Sequence, residues 1–224
     1  MNYLRSLNTN YRFDNFENSA VVKLLQELVK VNFRTSANKI LILGEVGVGK
    51  THLAQAIANE LIHKNSNCKV LYIRIETFCY DCEKAVLNNK MNELKQYILK
   101  HDYIILDDVH YLENKTQPQD LLVNIMNTCE AKRKTLIITS CQDLIDCENM
   151  NKRVKLFAKH SLIISLELPS FESKLIVLKR YISSENKEVS DEDIFKIASD
   201  SINMGEVYAK LLMLIVKNYY SDMD

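Results

Sequence analysis

Residues 39–54 read Lys-Ile-Leu-Ile-Leu-Gly-Glu-Val-Gly-Val-Gly-Lys-Thr-His-Leu-Ala, and this stretch decides the fold. An apolar run ends at Gly44, and after Thr51 the apolar residues follow helical spacing. Three of the chain's 4 glycines lie in this stretch. A strand, a glycine loop and a helix in this order are the context in which Gly-x-x-x-x-Gly-Lys-Thr forms a phosphate-binding loop, or P-loop. The alternative is a glycine-rich turn with an exposed lysine, which neither flank favours.

Each residue type in the loop suits a nucleotide phosphate. Glycines let backbone N–H groups come close to phosphate oxygens, and the following helix directs its positive N-terminal end at them. Lys50 is expected to reach the β- and γ-phosphates, and the Thr51 hydroxyl to ligate Mg²⁺. The sequence thus predicts that ATP or ADP binds with Mg²⁺ at the loop residues Gly44, Glu45, Val46, Gly47, Val48, Gly49, Lys50, Thr51 and His52.

An acidic pair follows a second apolar run. Residues 103–108 read Tyr-Ile-Ile-Leu-Asp-Asp, which is typical of a buried parallel strand that delivers carboxylates to the nucleotide edge of a sheet. Asp107 is expected to hold Mg²⁺ through water, and Asp108 to orient or deprotonate the attacking water. Lys50 and Asp108 are therefore the candidate catalytic residues. The alternative, an Asp pair capping a loop after an ordinary core strand, loses weight beside an upstream P-loop.

A third polar position follows the apolar run Leu136–Ile138. Thr139 and Ser140 stand where a hydroxyl beside the acidic strand could sense the γ-phosphate. Hydroxyl residues also suit the start of a loop, so the local pattern leaves both interpretations open.

The apolar runs alternate with helical patterns, which predicts an α/β fold: a parallel sheet flanked by helices, followed by a small all-helical lid. The predicted domains are residues 1–168, which bind nucleotide, and residues 169–224, the lid. The predicted strands are 40–43, 70–75, 103–106, 136–139 and 162–166. The predicted helices are 50–63, 78–87, 91–100, 118–131, 171–184, 191–199 and 203–220.

Composition excludes several classes of protein. The 224 residues include 29 Lys and Arg and 29 Asp and Glu, so the chain lacks the positive charge that is typical of nucleic-acid-binding proteins. Hydrophobic residues make up 47% of the chain, which argues against a disordered protein. No apolar run is long enough for a membrane helix and the N-terminus lacks a signal peptide, which predicts a cytoplasmic protein. In that reduced setting the 6 cysteines are expected to be free thiols. Cys79 and Cys82 are spaced like two zinc ligands, but the sequence shows no further ligands to complete the four that a structural zinc site needs.

These motifs together resemble the AAA+ domain of the DnaA/Hda family of bacterial replication initiators and their regulators. Residues 11–16, Tyr-Arg-Phe-Asp-Asn-Phe, look like the family's Tyr-x-Phe-Asp-Asn-Phe segment, and the similarity continues to the lid. The resemblance implies that Tyr11, Phe13 and Phe16 line the adenine and ribose side of the nucleotide pocket. A role as core residues is equally compatible with these aromatics.

Three positions depart from the family pattern. Phe157 stands where the family places the second arginine of Arg-x-x-x-Arg-Phe, the arginine that reaches a neighbour's ATP site, and Gly205 stands where Asn-x-Arg-Glu places a γ-phosphate-contacting arginine. Cys141 replaces an acidic residue. The resemblance then implies that this chain cannot complete a partner's site in the usual way, and that its lid lacks a side chain that distinguishes ATP from ADP.

The resulting hypothesis is an ATP-binding, slowly hydrolysing AAA+ protein that acts in the initiation of chromosomal replication or in its regulation. The alternatives are a catalytically weak adaptor that pairs with DnaA or another replication factor, and a helicase-loader-like ATPase. The expected partners are DnaA or a second copy through AAA+ interfaces. Because the sequence stops at Asp224, where DnaA continues into a helix-turn-helix domain, sequence-specific duplex binding is not expected. Residues 2–7 match the clamp-binding motif of Hda only imperfectly, so clamp binding is a weak expectation.

Overall fold

The structure is a computed structural model that describes residues 7–33, 38–185 and 187–221. The chain divides into two compact units. The first comprises residues 1–43 and 50–165, and the second comprises residues 44–49 and 166–224. The second unit thus contains the phosphate loop as well as the C-terminal helices. The division into domains 1–168 and 169–224 stays a prediction.

A five-stranded sheet in the order β2-β3-β4-β1-β5 confirms the predicted fold class. The neighbours β2–β3, β3–β4 and β4–β1 pair in parallel. All residues of β4 are buried, as expected of a central strand covered on both faces by helices. The strands are β1 (Lys39–Gly44), β2 (Val70–Arg74), β3 (Tyr103–Asp107), β4 (Thr135–Ser140) and β5 (Leu162–Leu166).

The register of these strands decides which functional residues lie together. Arg74 pairs with Asp107 in the parallel ladder, and Leu43 pairs with Ser140. The carboxyl ends of β1, β3 and β4 therefore meet at one edge of the sheet, which is where ligands bind in open parallel sheets.

The described residues of the first unit form six helices beside the sheet. They are α1 (Ser19–Lys30), α2 (Lys50–Lys64), α3 (Ile75–Leu87), α4 (Met91–Leu99), α5 (Thr116–Ala131) and α6 (Lys152–Lys159). Short 3₁₀ turns occupy Phe13–Asn15 and Val109–Leu112. The sequence predicted α2, α4 and α5 closely, but α3 begins three residues before the predicted start because it follows β2 without a loop.

Helices α1 and α6 were not predicted. Helix α6 has eight residues, of which three are buried: Val154, Phe157 and Ala158. These occupy one helix face at i, i+3 and i+4, which suffices to hold α6 on the core. Asn151 caps the helix by accepting a hydrogen bond from the Arg153 N–H.

Three helices follow β5 in the second unit: α7 (Phe171–Ser184), α8 (Asp191–Asp200) and α9 (Met204–Ser221). Each begins at a side-chain cap. Ser170 accepts from Ser173 N, and Ser190 accepts from Asp193 N, each at 3.1 Å. Their apolar faces share a small core that includes Leu178, Val207 and Leu211. No helix of the described residues is long and apolar enough to cross a membrane.

Candidate nucleotide-binding site

The phosphate loop has the backbone conformation that its glycines permit. Gly47 has φ +82° and Gly49 has φ +102°, both in the left-handed region that other residues rarely adopt. Glu45 and Val46 are exposed at its tip, and Val48 is buried. Helix α2 starts at Lys50, directly after the loop. A helix N-terminus therefore follows the loop directly, as a phosphate-binding loop requires.

Within the second unit, the loop lies against the start of α9. The Oδ1 atom of Asn203 accepts the Glu206 N–H at 3.0 Å, and the Glu206 carboxylate accepts the Ile202 N–H at 2.9 Å. This reciprocal cap fixes the Asn203 side chain. A Cβ added to Gly47 would lie 2.4 Å from Asn203 Oδ1, so the loop backbone and this amide are in close contact.

Replacing Gly47 with alanine is expected to lower the free energy of unfolding by about 1–2 kcal/mol, the usual cost of a left-handed alanine. Displacement of the Asn203 side chain adds to this, and nucleotide affinity should fall with it. Gly205→Ala is the matched control, because its Cβ meets Asn203 Oδ1 at 3.2 Å and its φ is not positive. Denaturant unfolding of Gly47→Ala and Gly205→Ala measures the difference in their free energies of unfolding. Equal stability of the two would contradict the importance of the Gly47 contact.

Lys50, the first residue of α2, is 6% exposed. Burial lowers the pKa of this ammonium, and the negative charges of Asp108 and Asp107 oppose that change. In the first unit, Lys50 therefore lies within electrostatic reach of both acids of the pair. This is the arrangement expected when a lysine and two carboxylates serve one phosphate site.

Asp107 is 1% exposed and both of its carboxylate oxygens accept hydrogen bonds. The Tyr72 hydroxyl donates to Oδ2 and the Thr139 hydroxyl donates to Oδ1, each at 2.6 Å. The Thr139 oxygen in turn accepts the Asp108 N–H at 2.8 Å. Asp108 itself has φ 64° and ψ 46°, an uncommon backbone conformation for a non-glycine residue.

The surroundings of Asp108 change its pKa. Burial raises the pKa of Asp108, the neighbouring Asp107 raises it further, and Lys50 opposes both. Burial, with the charge of Asp107, also raises the pKa of Tyr72 far above its usual value. Tyr72 therefore remains a protonated hydroxyl and a donor at any physiological pH.

Sequence reasoning missed Tyr72 and Gln55. Gln55 is 7% exposed, and its Oε1 accepts the Asn8 N–H at 2.9 Å. The available signals were a hydroxyl inside an apolar strand and an amide on the apolar side of α2. Such buried polar residues require partners, so each indicates a network.

The N-terminal aromatic segment, residues 11–16, packs on α2. The ring of His52 stacks on Tyr11 at 4.8 Å between centroids and lies 5.5 Å from Phe16, while its Nε2 is 3.0 Å from the Arg12 carbonyl oxygen. Phe13 is buried and is a core residue. Tyr11 and Phe16 remain half-buried, so a role at the base of a nucleotide stays a prediction for these two.

The chemistry of the donors suits Mg²⁺. The Thr51 hydroxyl and the Asp107 carboxylate are hard oxygen ligands, which Mg²⁺ prefers alongside water and phosphate oxygens. Over residues 7–33, 38–185 and 187–221, no group of three or more His, Cys, Asp or Glu side chains could hold a metal ion by itself. Cys79 and Cys82 are both buried and free. Magnesium at Thr51 and Asp107 stays a prediction that depends on a bound nucleotide.

Comparison with known proteins identifies the family. A model of the bacterial DnaA ATPase domain matches residues 7–165 of this chain. The chain belongs to the bacterial DnaA ATPase domain family. The chromosomal replication initiator protein DnaA of Flavobacterium psychrophilum is 31% identical over 220 residues, which are 96% of this chain and 46% of that protein. The chain therefore spans less than half the length of this relative.

Solved DnaA structures share the fold. Domain III of the DnaA protein of Thermotoga maritima superimposes with a TM-score of 0.90 at 27% identity, covering 97% of this chain and 92% of that one. AMPPCP-bound DnaA from Aquifex aeolicus superimposes with a TM-score of 0.82 at 24% identity, covering 96% and 68%. The chain thus shares the fold of the DnaA ATPase domain.

The three departures from the DnaA family pattern have distinct structural settings. Phe157 is 7% exposed and packs in the core of the first unit, whereas Arg153 one turn earlier on α6 is exposed. Gly205 is exposed in the first turn of α9. Cys141 is half-buried after β4, and burial raises the pKa of its thiol.

Proposed function

We propose that this chain binds ATP or ADP with Mg²⁺ and hydrolyses ATP slowly, as a DnaA-type AAA+ module in the initiation of chromosomal replication or in its regulation. The observation that carries the proposal is the buried Lys50 within electrostatic reach of Asp107 and Asp108 at the carboxyl edge of a parallel sheet. An AMPPCP-bound relative of the same fold supports nucleotide binding.

The proposed roles follow from the chemistry of each group. The loop from Gly44 to Gly49 and Lys50 hold the phosphates, and Thr51 and Asp107 hold Mg²⁺, which neutralises charge on the phosphates when it is bound. Asp108 orients the attacking water and accepts its proton. His52, Tyr11 and Phe16 form the side that faces the base and ribose.

The proposed partners are DnaA or a second copy of this chain through AAA+ interfaces, in the cytoplasm. Phe157 is a core residue, so α6 does not present an arginine at the position where the family presents one. Pairs of this chain should therefore be unable to complete each other's sites. A sliding-clamp contact through residues 2–7 stays a proposal, since residues 2–6 lie outside the described residues.

Turnover measured against protein concentration tests this function. We expect slow ATP hydrolysis whose rate per molecule is constant as the concentration of this chain rises. Adding a DnaA protein that has the arginine should raise the rate at least about tenfold, a small part of the 10³ to 10⁵ that an arginine finger supplies. A rate per molecule that increases with the concentration of this chain alone would contradict the proposed role of Phe157.

A second candidate is the adaptor, which binds nucleotide without turnover. The loss of both arginines, at Phe157 and Gly205, favours it. Nucleotide binding without hydrolysis, both alone and with DnaA, would support the adaptor over the ATPase.

A further inference from the structure

We infer that Tyr72 and Thr139 are positioning residues that hold the Asp107 carboxylate in the orientation needed for Mg²⁺, and that Thr139 ties this carboxylate to the backbone of Asp108. The inference rests on the proposed function, because it concerns the metal that accompanies the nucleotide. It assigns Thr139 a task different from sensing the γ-phosphate.

Two short hydrogen bonds fix the plane of the carboxylate. Tyr72 donates to Oδ2 and Thr139 donates to Oδ1, both at 2.6 Å, from opposite neighbours of β3 in the sheet. A carboxylate oxygen accepts two hydrogen bonds, so each oxygen of Asp107 retains one lone pair for a metal ion or a metal-bound water.

The direction of each hydrogen bond is determined by the neighbouring groups. Thr139 has one hydroxyl proton, and its oxygen already accepts the Asp108 N–H at 2.8 Å. An ionised carboxylate can only accept, so the proton of Thr139 is committed to Asp107. A committed proton cannot also be donated to a phosphate oxygen, which removes Thr139 as a γ-phosphate donor in this arrangement.

Tyr72 holds the carboxylate from the other side of β3. Its hydroxyl has one proton, which it donates to Oδ2 of Asp107 at 2.6 Å. Tyr72 and Thr139 are both less than 10% exposed, so these two hydrogen bonds are protected from water.

The Thr139 oxygen links the two acids. It contacts the side chain of Asp107 and the backbone of Asp108, whose φ of 64° is uncommon for aspartate. Thr139→Val removes the hydroxyl and so loses both contacts. Tyr72→Phe loses only a hydrogen bond to the Asp107 carboxylate. Comparing the two variants therefore separates the orientation of the metal ligand from the placement of Asp108.

The test compares nucleotide affinity with and without the metal. A fluorescent ATP analogue is titrated into the full chain in Mg²⁺ and in EDTA, for the wild type, Tyr72→Phe, Thr139→Val and Thr139→Ser. We expect Tyr72→Phe and Thr139→Val to reduce the affinity gained from Mg²⁺ about tenfold, the lower end of the range for loss of a group that orients a metal ligand. The affinity of these variants for the nucleotide in EDTA should equal that of the wild type. Thr139→Ser keeps the hydroxyl, so it should retain the wild-type gain in affinity from Mg²⁺.

Tyr80→Phe and Thr128→Val are the matched controls. Tyr80 is exposed on α3, and the Thr128 hydroxyl donates to the Asn124 carbonyl within α5. Both should retain the full gain from Mg²⁺. Folded Tyr72→Phe and Thr139→Val proteins with an unchanged gain would overturn the inference while leaving the proposed function intact. If Thr139→Val does not fold, Tyr72→Phe decides alone. A wild-type chain that binds no nucleotide would overturn the proposed function and this inference together.

Discussion

Replacing Lys50 with alanine is expected to weaken ATP and ADP binding by about a hundredfold. Lys50 is the first residue of α2 and is 6% exposed, so its ammonium meets phosphate in a poorly hydrated setting where charge interactions are strong. Removing one member of such a charge pair typically costs about 2–5 kcal/mol in binding. Isothermal titration with ADP and with a non-hydrolysable ATP analogue measures the loss for both nucleotides.

The control for Lys50→Ala must remove a lysine without affecting the loop. Lys179 is exposed on α7, and Lys179→Ala should keep wild-type affinity. Asp107 and Asp108 no longer have the Lys50 charge beside them in the Lys50→Ala variant, so folding is checked by thermal unfolding in the absence of nucleotide. A folded Lys50→Ala protein that still binds nucleotide tightly would refute the predicted P-loop.

The fold was accessible from the sequence because its strongest signals are local. The apolar runs that became β1, β3 and β4 are continuous, as strands covered on both faces require. Alternation of these runs with helical patterns then leaves few topologies. The helices α1 and α6 were missed although both are amphipathic, so their signal was present in the sequence.

The hydrogen-bond partners of Asp107 and Asp108 were harder to predict from the sequence than the fold. The positions of Asp107 and Thr139 at strand ends follow from the motif, but the bond between them depends on the register of β3 against β4. The register pairs Leu106 with Ile138, and no local pattern states it. Tyr72 is 35 residues from Asp107 in the chain, so only the assembled sheet shows that the two side chains are in contact.

The departures from the family could be identified from sequence but not interpreted without structure. Phe157 could have been a surface residue on a partner-facing helix, yet it packs in the core. Gly205 could have been a flexible break, yet it lies inside the first turn of α9 beside the Asn203 cap. Burial, which depends on the whole fold, distinguishes these possibilities.

Replacing Asp108 with asparagine is expected to lower ATP turnover by about 10²- to 10⁴-fold, the contribution typical of a positioned general base. Asparagine has nearly the same shape but cannot accept the proton of the attacking water. Because basal turnover is slow, the measurement is a single-turnover assay with radiolabelled ATP and protein in excess. Nucleotide affinity should be retained, since Asp108 is not among the groups proposed to hold the phosphates.

The asparagine variant also separates charge from backbone geometry. Asp108 has φ 64°, and asparagine is one of the few residues that adopt this conformation readily, so the N–H donated to Thr139 stays in place. Asp108→Ala removes the same charge but adds the strain of a left-handed alanine, so it should be less stable by about 1–2 kcal/mol at a similar loss of turnover. Asp120→Asn, an exposed change on α5, should leave both properties unchanged. Hydrolysis that survives in Asp108→Asn would mean that the water is activated by another group, and that the pair contributes through Asp107 alone.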